Sequence, residues 1–506
     1  MTTLAIPRLS TPAFLERFEF KLPWFALVPL LLIPVLGNTS SGLNMLLFAT
    51  ELLLLVAGVR RPIWIVAALV MSEMTAANFV HDVGISNRVL LAALSVPLVM
   101  PHLASRIDIG PKAKLTVGLA LMFVAITTAV NLSESQDTYV FDFLRYIVIA
   151  TYLMVLIPAC VRDRDDVRDL CALLFGIAVL STVVGLSQHW SDGRGTPMYE
   201  VVPHAGAVGE SFASWESRLL GLSDNPIQSG NVLMIAGLFA LGVVLYSPMQ
   251  TSTKRWYAIV LLMMCAASYY TYTRSWAIAM VPAMASIAML YRGKYKKEFF
   301  MLILVLGAGL WYWSDMKSSR YTATAENDSS AAARPVLWTL GLQIAYDNPW
   351  FGAGHDSFLD LSKEYTNTVP DDLLELQGAR DVIGKYTVHN DPINTWLSWG
   401  FFALFVYVAL SIVIGKNFFD AFMVTQDPLL KGLALGGLAA VLGYHTNSLF
   451  HNFLDSSLTF WVLGGFSLVM LKLGQRPYES AQPPPGPERE FSLVRNEMGE
   501  WEQCAV

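Results

Sequence analysis

The chain has 506 residues, of which 54% are hydrophobic and only 15% charged, with a mean hydropathy of +0.47 and a formal net charge of -6. Soluble chains carry roughly a quarter charged residues, so a soluble globular protein is excluded. What remains is a polytopic membrane protein, in which the placement of charge says more than its sum.

In chain order, residues 1–21 are predicted to be a cytoplasmic N-terminal segment. Arg8, Arg17 and Lys21 precede the first apolar run without a small-residue cleavage site, so that run is read as a retained span. Apolar runs of spanning length follow at 22–37, 42–58, 62–80, 88–105, 113–131, 139–160, 167–187, 226–246, 256–272, 275–291 and 298–313. Three more lie at 392–414, 430–449 and 457–473. They predict an all-α polytopic membrane domain over 22–474 with about 12–14 transmembrane helices.

Basic residues sort the connections. Arg60 and Arg61, Arg106 with Lys112 and Lys114, Arg162, Arg164 and Arg168, Lys254 and Arg255, the Tyr291–Lys297 segment, Lys416 and Lys431, and Lys472 with Arg476 fall on one side. The positive-inside rule makes that side cytoplasmic, with both termini inside and the alternate connections facing the periplasm. Two external connections are long, 188–225 and 314–390. The second contains "ARPVLWTLGLQIAYDNPW", in which Val336, Leu337, Leu340 and Ile344 share one helical face before Asp347-Asn348-Pro349 stops the helix. Such a helix suits the outer leaflet or a seat over the bundle. The Pro-rich, charged tail, 475–506, is predicted to be disordered in the cytoplasm. Cys160, Cys171, Cys265 and Cys504 fall in no external segment, so no structural disulfide is expected, and no metal-ligand spacing forms.

The run "KYTVHNDPINTWLSWGFFALFVYVALSIVIG" starts a span with three polar residues. Asp391-Pro392 reads as N-cap and first helical position, which leaves His389 just outside the first turn, at the outer face. Arg274 sits in a tight junction between two apolar runs at the same level, where little water reaches it. Arg218 precedes the span starting near Pro226, and Arg334 opens the external helix. Glu73, Asp142 and Arg145 occupy the outer halves of their spans. Asp142 and Arg145, one turn apart, read as an internal ion pair, and Glu73 as a neutral group hydrogen-bonded between helices. His445 and His451 read as interfacial residues. Arginine forks suit phosphate oxygens, and a histidine takes a proton near neutral pH. A substrate with a phosphate leaving group and an acceptor hydroxyl would use both.

The ordered set "RLLGLSDNP", "TYTRSWA", "RPVLWTLGLQIAYDNPWFGAGHDSF" and "HNDPINTWLSWG", over about 211–415, resembles the bacterial O-antigen ligase and O-antigen polymerase superfamily. The resemblance implies a glycosyltransferase of GT-C type with a large periplasmic loop, a periplasmic site, and neither metal nor cofactor. It implies transfer of a glycan from undecaprenyl diphosphate to an acceptor sugar, inverting at the anomeric carbon. The implied partners are the lipid-linked donor, a core oligosaccharide or second lipid-linked chain as acceptor, and the inner-membrane bilayer, with no nucleic acid. Carried onto this sequence, His389 is the general base, Arg218 and Arg274 hold the diphosphate, and Arg334 helps from the loop. Arg380, Asn390, Asp142, Arg145 and Glu73 are supporting candidates. Ile227 and Trp276 depart from the residues usual in the family. A polytopic transporter or flippase for a lipid-linked glycan is the alternative from another class.

Overall fold

The computed structural model describes residues 22–33, 40–75, 87–103, 111–133, 147–190, 219–223, 225–271, 273–293, 296–297, 300–301, 329–375, 379–454, 457–475, 491–495 and 501–505. The helices are α1 (Trp24–Leu31), α2 (Ser40–Gly58), α3 (Ile63–Met74), α4 (Asn87–Leu103), α5 (Pro111–Ser133), α6 (Ile149–Cys160), α7 (Arg164–Trp190) and α8 (Pro226–Tyr246). They continue with α9 (Thr251–Tyr270), α10 (Arg274–Leu290), α11 (Ser329–Asp347), α12 (Phe358–Glu364), α13 (Asp371–Leu374), α14 (Asp391–Val424), α15 (Pro428–Ser448) and α16 (Thr459–Gly474). Among the described residues, five helices are long and apolar enough to cross a bilayer: α5, α7, α8, α14 and α15. Shorter apolar helices pack among them, and the protein is an all-α polytopic membrane protein.

The long helices start where the sequence supplies both a cap and a proline. Asn225 accepts from the Ile227 N–H at 2.8 Å ahead of Pro226, and Asp427 accepts from Leu429 and Leu430 ahead of Pro428. Each side chain satisfies donors that a helix start leaves open, and proline fills a position needing no N–H. Helices α8 and α15 then approach to backbone contact. A Cβ at Gly432 would stand 2.5 Å from the Gly242 carbonyl oxygen, and one at Gly436 2.6 Å from that of Leu238. In hydrocarbon, where helix association depends on packing, small residues permit this approach.

Ion pairs gather at one end of the bundle. Arg61 at the start of α3 reaches Asp166 (2.7 Å) and Asp169 (2.9 Å) on α7, and Arg164 pairs with the Asp427 cap of α15. Lys112 and Lys416 share Asp420, and Lys472 donates to the carbonyls of Pro158 and Val161. The opposite end joins the end of α3, the starts of α8, α10, α14 and α16 and the end of α15, through the hydrogen bonds described below. Among the described residues, Arg61, Lys112, Arg164, Lys416 and Lys472, all read from the sequence as one side, lie at the first of these ends.

Outside the bundle, α11 buries Val336, Leu337, Leu340 and Ile344, the face its periodicity marks, against Phe358 on α12 and Val388 and Leu397 at the start of α14. It sits over the bundle. The contact has a backbone consequence. Helix α14 breaks at Gly400 (φ 81°, ψ 178°). The loop 349–354 fills the break. Ala353 N–H donates to Leu397 O (2.7 Å), Gly354 N–H to Ser398 O (3.0 Å), and Phe401 N–H donates back to Pro349 O (2.8 Å). Broken backbone at membrane depth is tolerated where such partners satisfy it.

Several elements differ from expectation. Of the span placed at 62–80 the described residues form the helix Ile63–Met74, and of that placed at 139–160 they form Ile149–Cys160; residues 76–80 and 139–146 lie outside the described residues. The span placed at 392–414 continues to Val424, because the kink at Gly400 redirects the helix without ending it. Most of the run at 298–313 lies outside the described residues. Within the tail read as disordered, β1 (Phe491–Arg495) and β2 (Trp501–Ala505) form an antiparallel pair, Phe491 opposite Ala505.

Candidate active site

Four segments meet around His389: the entry to α14, the segment Leu449–Leu454 after α15, the first turn of α10, and α11. Asn390, not Asp391, is the N-cap of α14. Its Oδ1 accepts from Ile393 N–H (2.9 Å), its Nδ2 donates to Leu449 O (3.0 Å), and its own N–H donates to Asn452 Oδ1 (2.7 Å). The capping assignment made from the sequence thus shifts by one residue. Asp391 is fully buried instead, accepting from Leu454 N–H (3.0 Å) and from Tyr444 Oη–H (3.4 Å). Both residues clamp the 449–454 segment onto the entry of α14.

His389 itself has φ +52°, a left-handed conformation uncommon for residues with a side chain but more accessible to histidine, asparagine and aspartate. Backbone strain of this kind persists where surrounding contacts over-determine it, as the Asn390 network does here. The imidazole is 6.3 Å from the Tyr386 ring and 6.2 Å from the His451 ring, centroid to centroid. Burial first, and the nearby Arg334 guanidinium second, hold its pKa down at about 4, below the ordinary histidine value of 6.5. At neutral pH the ring is uncharged and has a lone pair free for a proton.

Arg334 lies on the partly exposed flank of α11, with its guanidinium carbon 5.7 Å from the Phe450 ring centroid. Arg274 is the first residue of α10. The next residue, Ser275, is buried and places Oγ 2.9 Å from His451 Nε2. The start of α10 therefore touches the histidine that faces His389. Leu219 N–H donates to Tyr270 O (3.0 Å) at the end of α9, and Gln188 clasps Leu220 and Gly221 through three hydrogen bonds. This fixes the chain immediately after Arg218 beside the turn that leads to Arg274.

The remaining candidates separate. Glu73 is buried at the end of α3, paired with Arg88 (3.1 Å) and hydrogen-bonded by Gln228 (3.1 Å) and Thr459 (3.4 Å), so it bridges α3, α4, α8 and α16. The hydrogen bonding between helices read from the sequence is present, with Arg88 as an ion-pair partner beside it. Arg380 is exposed on the Arg380–Val382 turn. Arg218, Asp142 and Arg145, and the side chain of Arg274, lie outside the described residues.

Two residues, His451 and Ser275, were not expected in the site. The signal was present: a second His-Asn pair at 451–452 repeats the pair at 389–390, and the two pairs are hydrogen-bonded to one another through Asn390 and Asn452. A dipeptide repeat sixty residues away gains meaning only when the chain folds back on itself. His445, by contrast, lies within α15 beside Tyr407.

A neutral imidazole beside guanidinium charge can accept a hydroxyl proton while anionic oxygens are held nearby. No curated protein matches the chain. Residues 258–408, roughly three-tenths of the sequence, match the O-antigen ligase family, and this segment contains Arg274, Arg334, Arg380, His389 and Asn390. The chain is thus an all-α membrane protein whose residues 258–408 are similar to the O-antigen ligase family.

Proposed function

We propose that the protein transfers or polymerises a glycan carried on undecaprenyl diphosphate onto an acceptor sugar, in a metal-independent glycosyltransferase reaction of GT-C type at the periplasmic face of a bacterial inner membrane. The observation that carries this reading is the neutral His389 imidazole held between Arg334 and the His451–Ser275 pair at the start of the helix that Arg274 opens. His389 Nδ1 or Nε2 takes the proton of the acceptor hydroxyl as its oxygen attacks the anomeric carbon. The bond from that carbon to the diphosphate oxygen breaks, and undecaprenyl diphosphate departs with its charge held by Arg218, Arg274 and Arg334. Attack opposite the departing group inverts the anomeric centre.

The donor chemistry has further support. The leaving group is already good, so positioning and charge stabilisation suffice without covalent catalysis. Arginine gives permanent charge in the fork geometry that phosphate oxygens prefer. An apolar cavity of about 390 Å³ runs from Glu73 and Thr459, past Val70, Val232, Phe239, Leu433 and Val462, to Arg164 and Arg168 at the basic end, a lining suited to an isoprenoid chain. The positive-inside rule supports the orientation, since the ion-paired, basic end lies opposite the His389 end.

The test is transfer in proteoliposomes holding only purified protein, lipid-linked donor and acceptor. His389→Ala is expected to lose about 10²–10⁴-fold in turnover with insertion intact. Arg274→Ala and Arg334→Ala are each expected to lose on the order of 10²–10³-fold, comparable to removal of an oxyanion donor. Near-normal transfer by His389→Ala would end the reading. Surface glycans of a deletion strain separate the two activities. Loss of long chains with single repeats kept indicates polymerase, and loss of attachment with long lipid-linked chains kept indicates ligase.

A further inference from the structure

We propose that His451 is a positioning residue of the transfer site, which acts through Ser275 to hold the first turn of α10, and with it Arg274, in register with His389. The inference rests on the reading of the site given above and assigns a role to a residue that lies beyond the matched segment 258–408.

The geometry is specific. His451 is 6% exposed and Ser275 3%, and their 2.9 Å hydrogen bond spans 176 residues of sequence. The His451 ring is fixed on two sides, by Phe453 at 5.5 Å and by His389 at 6.2 Å. Its chain neighbours are fixed as well. Asn452 accepts from Asn390 N–H, and Leu454 N–H donates to Asp391. The segment 449–454 is thus bonded along its length to the entry of α14, and through His451 it also reaches Ser275 on α10.

The mechanical consequence follows from the start of α10. Thr273 is the N-cap of this helix, and the Ser275–His451 bond ties its first turn to a remote segment one residue after Arg274. Displacement of a catalytic group by about 1 Å costs on the order of 10²-fold in rate. A single buried hydrogen bond is therefore able to govern turnover out of proportion to its effect on stability.

The experiment compares His451→Ala, Ser275→Ala, the double variant and His451→Gln in the same proteoliposomes. His451→Ala and Ser275→Ala should each lower kcat by about tenfold or more, with the donor KM changed far less, because the arginine matters most as charge develops on the leaving diphosphate. The double variant should be no worse than the poorer single one, since both remove one contact. Glutamine, whose amide can bond Ser275, should restore most of the turnover. Wild-type kcat in Ser275→Ala, multiplicative losses in the double variant, or a glutamine variant as slow as alanine would each overturn the proposal. His389→Ala, assayed in parallel, separates the two ideas. If it is inactive while His451→Ala is normal, only the positioning role falls; if it is active, the site reading itself falls.

Discussion

Gly400→Ala provides a severe test of how the site is built, because the cost can be worked out from the backbone. At φ 81° and ψ 178° the residue occupies a region open essentially to glycine alone, so any side chain costs about 1–3 kcal/mol there. The added Cβ would also lie 2.1 Å from the Trp350 carbonyl oxygen and 2.3 Å from its carbonyl carbon, which are backbone and cannot swing aside. Relief requires the 349–354 loop to move off the break, releasing the bonds from Ala353 to Leu397, Gly354 to Ser398 and Phe401 to Pro349. Each is worth about 1 kcal/mol net. The total is about 4–6 kcal/mol, and melting in detergent should fall by about 5 °C. Transfer should fall further, since His389 and Asn390 stand at the head of the half-helix that this loop fixes. Gly415→Ala is the control: on the same helix its Cβ would meet nothing closer than 3.8 Å, so stability should hold or rise slightly. A Gly400→Ala protein that melts with the wild type and transfers normally would falsify the argument that the loop clamps the break.

Other outcomes follow from the same geometry. Asn390→Ala removes the cap of α14 and the bond to Leu449, and should cost about 2 kcal/mol with a marked loss of transfer, read by thermal melting beside the liposome assay. Because burial and Arg334 depress the His389 pKa to about 4, kcat/KM should show no inflection near 6.5 as pH falls and should drop only towards pH 4; an acid limb centred near 6.5 would place the base elsewhere. The same depression means that the unfolded chain binds the proton more readily. His389 therefore erodes stability as pH falls from about 6.5 towards 4, an erosion that His389→Gln should reduce in detergent melts. Arg88→Leu leaves the buried Glu73 carboxyl without its ion-pair partner and should cost about 3–5 kcal/mol, whereas pairing it with Glu73→Gln should recover part of that loss; equal melting of the single and double variants would count against the ion pair.

What the residues determined alone was whatever short-range physics controls. Composition dictated a bilayer solvent. Asn225-Pro226 and Asp427-Pro428 dictated helix starts, since a cap and a proline act within one turn. The period of Val336, Leu337, Leu340 and Ile344 dictated the buried face of α11. Charge in short connections sorted the helix ends into two sets, because crossing a bilayer is costly enough to leave its mark on every loop. The His389-Asn390 pair and Arg334 stood out in the sequence, and the structure places both near the entry of α14.

Folding decided the rest, because each remaining feature depends on segments far apart in sequence. Whether Asn390 or Asp391 capped α14 depended on Leu454 and Tyr444 claiming the aspartate. Glycines 352, 354 and 400 carried no message until the broken helix and the loop satisfied each other's backbone groups. Glu73 could be recognised as a bridge, and His451 as a neighbour of His389, only when helices remote in the chain supplied their partners. Local pattern fixes which groups must be buried or capped; which distant group answers each one is settled by packing alone, since a desolvated donor or acceptor accepts whatever partner the bundle brings within about 3 Å.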